Sequence, residues 1–260
     1  MLDILGAWGG ARFIVFTLVL VRTSGLVITA PIFGGNQLPS QIRVLLALAL
    51  AVLIAPTQVG VVPQVAGNLP AYLVAVTCET LIGLVLGLGI QIVQSGMLLA
   101  GQIVGQLSGL SMAEVLDPTS GDDVPLLSQL LNMLALAVFC TIGGHRLVMA
   151  GLLETFAALP PGSMLSGSSL VDTTLTLAMQ SCELGIRAAA PAAVALLVTN
   201  VALGFISRTL PQLNVISFGF GVGVVVMLMA LSATLGSIAW VAQEYFEEAL
   251  GTMRGMMSDR

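Results

Sequence analysis

Two carboxylates and two arginines interrupt stretches that are otherwise free of charge: Arg22, Glu79, Glu183 and Arg187. Ionisable groups inside membrane-type segments are costly, and they mark ion paths, substrate contacts or internal pairs. A carboxylate near the middle of a bilayer could carry a proton, and Glu79 and Glu183 are the groups on offer for that role. Glu183 and Arg187 are four apart with the acid first, which sets them on one helix face in the favourable order. Read from the residues alone, they either pair with each other or face a neighbouring subunit or a wet channel. Glu79 has no partner nearby in sequence. Arg22 is the cation that could meet it between helices.

Other chemistry is thinly supplied. His145 is the one histidine, and it reads as a structural hydrogen-bonding residue. Cys78, Cys140 and Cys182 each sit in an apolar run without C-x-x-C spacing, so they read as packing residues, with no metal site or disulfide framework. The eight positive charges are all arginine, so a phosphate-cradling glycine loop with its lysine is ruled out. No nucleophile, base and orienting group cluster together. The expectation is no catalytic site, no metal and no cofactor.

The composition says where such a chain can live. Hydrophobic residues make up 57% and charged residues 8%, with a mean hydropathy of +1.04. Soluble domains carry about 25% charged residues. This sequence cannot furnish a polar shell, so its surface belongs against lipid or against equally apolar subunits. A formal net charge of -5 argues against nucleic acid as a partner.

The elements that must position these groups are helices. Charge-free runs extend over residues 23–42, 44–78, 80–113, 188–207 and 209–243. About 20 apolar residues cross a bilayer, so the longer runs are expected to form hairpins or to be interrupted. Pro31, Pro39 and Gly34-Gly35 break the first run; Pro56, Pro63 and Pro70 bracket a loop. Gly83/Gly87 and Gly101/Gly105 are small-x-x-x-small pairs. They mark close helix crossings or ordinary glycine use in membrane helices, with neither reading favoured. Residues 114–125 and 159–172 are polar loops, and His145-Arg146, which follow Gly143-Gly144, break the apolar segment 124–153. Two long helices, about 173–207 and 214–250, are joined through Arg208 and Pro211. The glutamate-rich tail from Gln243 is expected to lie at an interface. The segment behind Arg12 is expected to stay as the first helix, because Arg22 and Asp3 spoil a signal-peptide pattern. Arg208 would place its joint in the cytoplasm and the arginine-free 159–172 loop outside. The fold class is therefore all-α, of membrane-type helical hairpins.

A set of fragments in order carries a resemblance across most of the chain. They are Arg22-Thr-Ser-Gly25, Ala30-Pro31-Ile-Phe33-Gly34, Leu38-Pro39, Ile42-Arg43, Glu79, Gly83 and Gly87. Then come Gly109-Leu-Ser-Met112, Asp117-Pro118, Val124-Pro125, Gly144-His145 and Glu154-Thr-Phe156. Pro191, Asn200, Gly204, Ser207-Arg208, Pro211-Gln212-Leu-Asn214 and Gly219 complete it. Each is weak alone; their order and spacing resemble the FliR family of flagellar biosynthesis proteins, with its virulence type III secretion counterparts. One departure is visible: Gly143-Gly144-His145 stands where the family usually has Asn-Gly-His.

The resemblance implies a single-copy subunit of an export gate in the bacterial inner membrane, at the flagellar basal body and partly on its periplasmic side. FliP and FliQ would be its neighbours, with FlhB docking outside, and unfolded flagellar substrates would pass through the pore. It implies helices slanted and packed into a larger helical assembly. Residues 1–170 would be FliP-like, and residues 171–260 a FliQ-like hairpin with a polar tail. It also implies a channel plug at residues 107–117, where Leu107, Gly109, Leu110, Ser111, Met112, Val115, Leu116 and Asp117 are candidates. That segment is apolar and rich in glycine and serine, and methionine and leucine repack easily around a changing cargo. Arg22, Glu79, Glu183, Arg187 and Arg208 are the candidate buried charges or subunit contacts. The competing readings are a small-solute secondary transporter and a membrane enzyme.

Overall fold

The computed structural model describes residues 2–31, 39–58, 68–110, 125–163, 167–209 and 215–258. Among these residues the chain is helical, without strands. We number the helices α1 (Leu2–Thr29), α2 (Ser40–Ile54), α3 (Leu69–Ser108), α4 (Leu126–Thr141), α5 (Gly144–Ala158), α6 (Gly167–Thr209) and α7 (Val215–Ser258). A 3-10 turn, Ala55–Gln58, follows α2. Five helices contain spans long and apolar enough to cross a membrane: α1, α2 with its 3-10 turn, α3, α6 and α7. The α4–α5 pair, bent by 65°, is a broken sixth.

The bend has a local cause. Gly143 takes φ +72, a left-handed conformation that favours glycine, and its carbonyl accepts the Arg146 N–H at 2.8 Å to start α5. Pro39, Pro70 and Pro125 stand at helix starts, where a missing N–H costs nothing.

The runs 23–42 and 44–78 are interrupted as their prolines suggest, the first between α1 and α2 and the second between α2 and α3. The run 80–113 is not: α3 is continuous for 40 residues, and the two expected long helices, α6 and α7, are continuous for 43 and 44. At 1.5 Å per residue each is about 60–66 Å long, roughly twice the hydrocarbon thickness of a bilayer. Ordinary tilts do not absorb such a mismatch. Part of each helix must therefore lie where protein or water, rather than lipid, surrounds it. Pro191 sits inside α6 without ending it. The glutamate-rich tail is the unbroken continuation of α7, with Tyr245, Phe246, Ala249, Leu250 and Met253 buried at helical spacing.

The chain divides into two compact units. The first comprises Met1–Ile92, Gly143–Leu177 and Glu248–Arg260. Its core draws on Leu18 and Leu26 of α1, Ala47 and Ala51 of α2, Ile82 and Leu86 of α3, and Leu152 and Phe156 of α5. Helices α1 and α3 touch through glycines. A methyl group at Gly83 would collide with the Arg22 carbonyl, and one at Gly87 with Thr29 and Ala30. One at Gly25 would stand 3.0 Å from Leu84 N. The Gly83/Gly87 pair is thus a close helix crossing.

The second unit comprises Val93–Ile142 and Ala178–Glu247. Here Gly96 meets the Ser181 backbone and Gly101 the Ser128 backbone, while Gly105 faces open space. The second small-x-x-x-small pair is therefore used at one of its two positions. Gln94 donates to Asn132 Oδ1 at 2.8 Å, and the Phe139 and Phe246 rings meet edge-on with centroids 5.0 Å apart. Cys140 and Cys182 are exposed and Cys78 half-buried, all three as free thiols, so two of them do not serve as packing residues.

Candidate functional site

The first unit is organised around a fully buried ion pair. Arg22 on α1 and Glu79 on α3 are both 0% exposed, and Arg22 Nε donates to Glu79 Oε2 at 2.5 Å. The other guanidinium nitrogens are also engaged. Nη1 donates to Thr155 Oγ1 at 3.3 Å and Nη2 to the Leu159 carbonyl at 3.0 Å. The guanidinium lies over the Phe156 ring, 4.3 Å from its centroid, in cation–π geometry. One Arg22 side chain thereby ties α1 to α3, to α5 and to the turn beyond α5.

Glu79 completes the arrangement from the other side. Its Oε1 accepts the Gly162 N–H at 2.9 Å. Gly162 belongs to the turn Pro160-Pro161-Gly162-Ser163, closed by Ser163 N–H donating to the Pro160 carbonyl at 3.0 Å. Pro161 at the second position and Gly162 with φ +88 at the third are what a type II turn requires. The turn leaves the Gly162 N–H free to reach the carboxylate. A buried charge pair survives only when its remaining donors and acceptors are also satisfied. These contacts give each guanidinium nitrogen and each carboxylate oxygen a partner.

The other candidate charges fall elsewhere. Glu183 and Arg187 pair along α6 at 2.7 Å, with both side chains about half exposed at 53% and 55%. Arg187 also reaches toward the Tyr245 ring, 5.7 Å from its centroid. Arg208 is exposed in the last turn of α6. His145 is exposed at the start of α5. Among the described residues, no group of three His, Cys, Asp or Glu is placed to hold a metal.

Of the candidate plug residues, Leu107 ends α3 together with Ser108, and Gly109 and Leu110 follow, with Gly109 at φ +82. Ser111, Met112, Val115, Leu116 and Asp117 lie outside the described residues.

Sequence reading paired Arg22 with Glu79 as an option but missed Thr155, Phe156, Leu159 and Gly162 as their partners. The Pro-Pro-Gly turn and the Thr155-Phe156 pair are visible in the sequence. Nothing local joins them to an arginine 133 residues away.

Large apolar side chains cover much of the outer surface. On α6, Val194, Leu197, Val198, Val201 and Phe205 are exposed opposite a face buried at Leu184, Ala188, Ala192 and Leu196. A helix apolar all round belongs in lipid or among other chains.

Comparison with known proteins agrees with this architecture. The family described as bacterial export proteins, family 1, matches residues 13–249. The flagellar biosynthetic protein FliR of Escherichia coli K12 is 31% identical over 245 residues, covering 92% of this chain and 91% of that protein. The proteins of the same name from Bacillus subtilis 168 and Caulobacter vibrioides are each 28% identical. They are covered over 95% and 94% of their own lengths respectively. With its match running through nearly all the helices described above, this chain belongs to family 1 of the bacterial export proteins, the family of FliR.

Proposed function

We propose that the chain is a structural subunit of the flagellar type III protein export gate, helping to form and plug the central channel for unfolded flagellar substrates. The observation that carries this reading is the family match over residues 13–249 to proteins named for flagellar biosynthesis and export. The exposed apolar faces support it, because they call for partner chains or lipid. The partners are FliP and FliQ, with FlhB docking outside. The site of action is the inner membrane at the flagellar basal body, partly on the periplasmic side. Residues 1–170 are the FliP-like part and 171–260 the FliQ-like hairpin. The segment 107–117 is the plug. The chain is not an enzyme and works without a cofactor.

The flagellar names of the relatives favour this reading over the equivalent virulence subunit. The engagement of Glu79 by Arg22 and Gly162 favours a clamp between helices over a proton carrier.

Ion leak across cells making this chain with its partners tests the proposal. Deleting residues 110–116 is expected to raise the leak, and only when the partners are present. An unchanged leak with the complex still assembled would assign the seal to another subunit.

A further inference from the structure

The end of α3 is stopped by a cross-helix cap. A helix leaves its last carbonyls without partners in its own backbone, and each must find a donor. Here three successive carbonyls find three different ones. The Gly105 carbonyl accepts Ser108 Oγ at 3.0 Å, and the Gln106 carbonyl accepts the Gly109 N–H at 3.2 Å. The Leu107 carbonyl accepts Asn200 Nδ2 at 3.0 Å. The first two donors are local. The third comes from α6, 93 residues further along. Gly109 then turns the chain away at φ +82, which favours glycine.

Helix α7 closes on the same point. A methyl group at Gly223 would stand 2.6 Å from the Ser108 carbonyl oxygen, so only glycine allows this approach. Phe220, one turn earlier, lies 3.7 Å from where a Gly109 side chain would begin. Ser108 is itself buried, at 3% exposure. Both long C-terminal helices thus grip the residues at which the candidate plug leaves α3.

We infer that Asn200 and Gly223 are positioning residues for the seal. They hold Leu107 and Ser108, the residues from which the 107–117 segment departs, and the seal depends on that anchorage. This rests on the plug reading proposed above. An amide suits residue 200, because its NH2 can donate to a carbonyl while remaining uncharged.

The test uses the complete gate with its partner subunits, reconstituted in vesicles. Two quantities are read: ion leak, and deuterium uptake at the amides that follow Ser108. Asn200→Leu removes the donor, and Asn200→Asp sets a carboxylate against the carbonyl. Asn200→Gln keeps a donor on a longer arm. Asn200 is exposed, so these changes leave the core untouched. Losing one hydrogen bond is expected to raise uptake about fivefold for Asn200→Leu and Asn200→Asp, and less for Asn200→Gln. Leak is expected to rise with uptake. In a gate lacking residues 110–116, Asn200→Asp is expected to add no further leak. Gly223→Ala, which crowds the Ser108 carbonyl, is expected to reproduce both effects.

Unchanged uptake in Asn200→Leu and Asn200→Asp would overturn the cap. Raised uptake with wild-type leak, in a gate that does leak without residues 110–116, would overturn the link to the seal while leaving the plug. No leak on removing residues 110–116 would overturn the plug and this inference together.

Discussion

Removing Arg22 alone should cost more than removing Arg22 and Glu79 together. The substitution Arg22→Met keeps an unbranched apolar stem, shorter than arginine, and takes away the charge. Glu79 then remains at 0% exposure with the Gly162 N–H as its one remaining partner. Stranding one charge of a buried pair costs about 3–5 kcal/mol, and the Leu159 carbonyl, which loses Nη2, adds about 1–3 kcal/mol. Adding Glu79→Leu removes the stranded charge. What remains is two unpartnered backbone groups, the Leu159 carbonyl and the Gly162 N–H, together about 2–6 kcal/mol. The double variant should therefore match or exceed the single one in stability. The assay is thermal denaturation of the detergent-extracted gate across wild type, both single variants and the double. Additive losses, with the double variant the weakest of the four, would refute the clamp.

Four further outcomes are expected. Gly101→Ala, which drives a methyl group into the Ser128 backbone, should cost about 1–3 kcal/mol in the same melt. Gly105→Ala meets open space and should be neutral or stabilising by about 0.5–1 kcal/mol. Glu183→Gln breaks a half-exposed pair and should shift stability by no more than about 0.5 kcal/mol, with ion flux through the chain alone unchanged. Loss of such flux would favour the transporter instead. Arg208→Ala should lower recovery of intact complex about fivefold, the effect of roughly 1 kcal/mol at an exposed contact, with helical content retained by circular dichroism. Wild-type recovery would remove Arg208 from the assembly contacts.

The parts of the fold set by local chemistry were legible in advance. Prolines mark the starts of α2, α3 and α4, and the Arg208–Asn214 joint separates the last two helices; the break between α4 and α5 was expected at His145-Arg146 and turns on Gly143 just before them. Glu183–Arg187 followed from spacing alone. The length of α3 was misjudged because a bilayer was taken as its ruler, whereas the two long last helices were expected from their uninterrupted patterns. The glycine pairs show where periodicity stops informing. Gly101 and Gly105 look alike in sequence, yet one meets Ser128 and the other meets nothing, because the neighbour is chosen by tertiary packing. The Ser181-x-x-x-Gly185 spacing opposite Gly96 carried the same signal as Gly83/Gly87 and passed unread. The Arg22 site was half legible. Two buried charges of opposite sign suggest each other, but hydroxyl, carbonyl and ring partners have no such signature.

The Arg22 site also fixes a timetable for making the protein. Its arginine is synthesised 57 residues before the glutamate and 133 before the threonine. At about 5–20 residues per second, these partners follow by roughly 3–11 and 7–27 seconds. Throughout that interval α1 carries an uncompensated cation at the centre of an apolar stretch. It cannot take its final place until α3 arrives, nor complete its bonds until α5 does. Until α3 arrives that cation is an insertion cost met by snorkelling or by the insertion machinery, and pairing with Glu79 removes it.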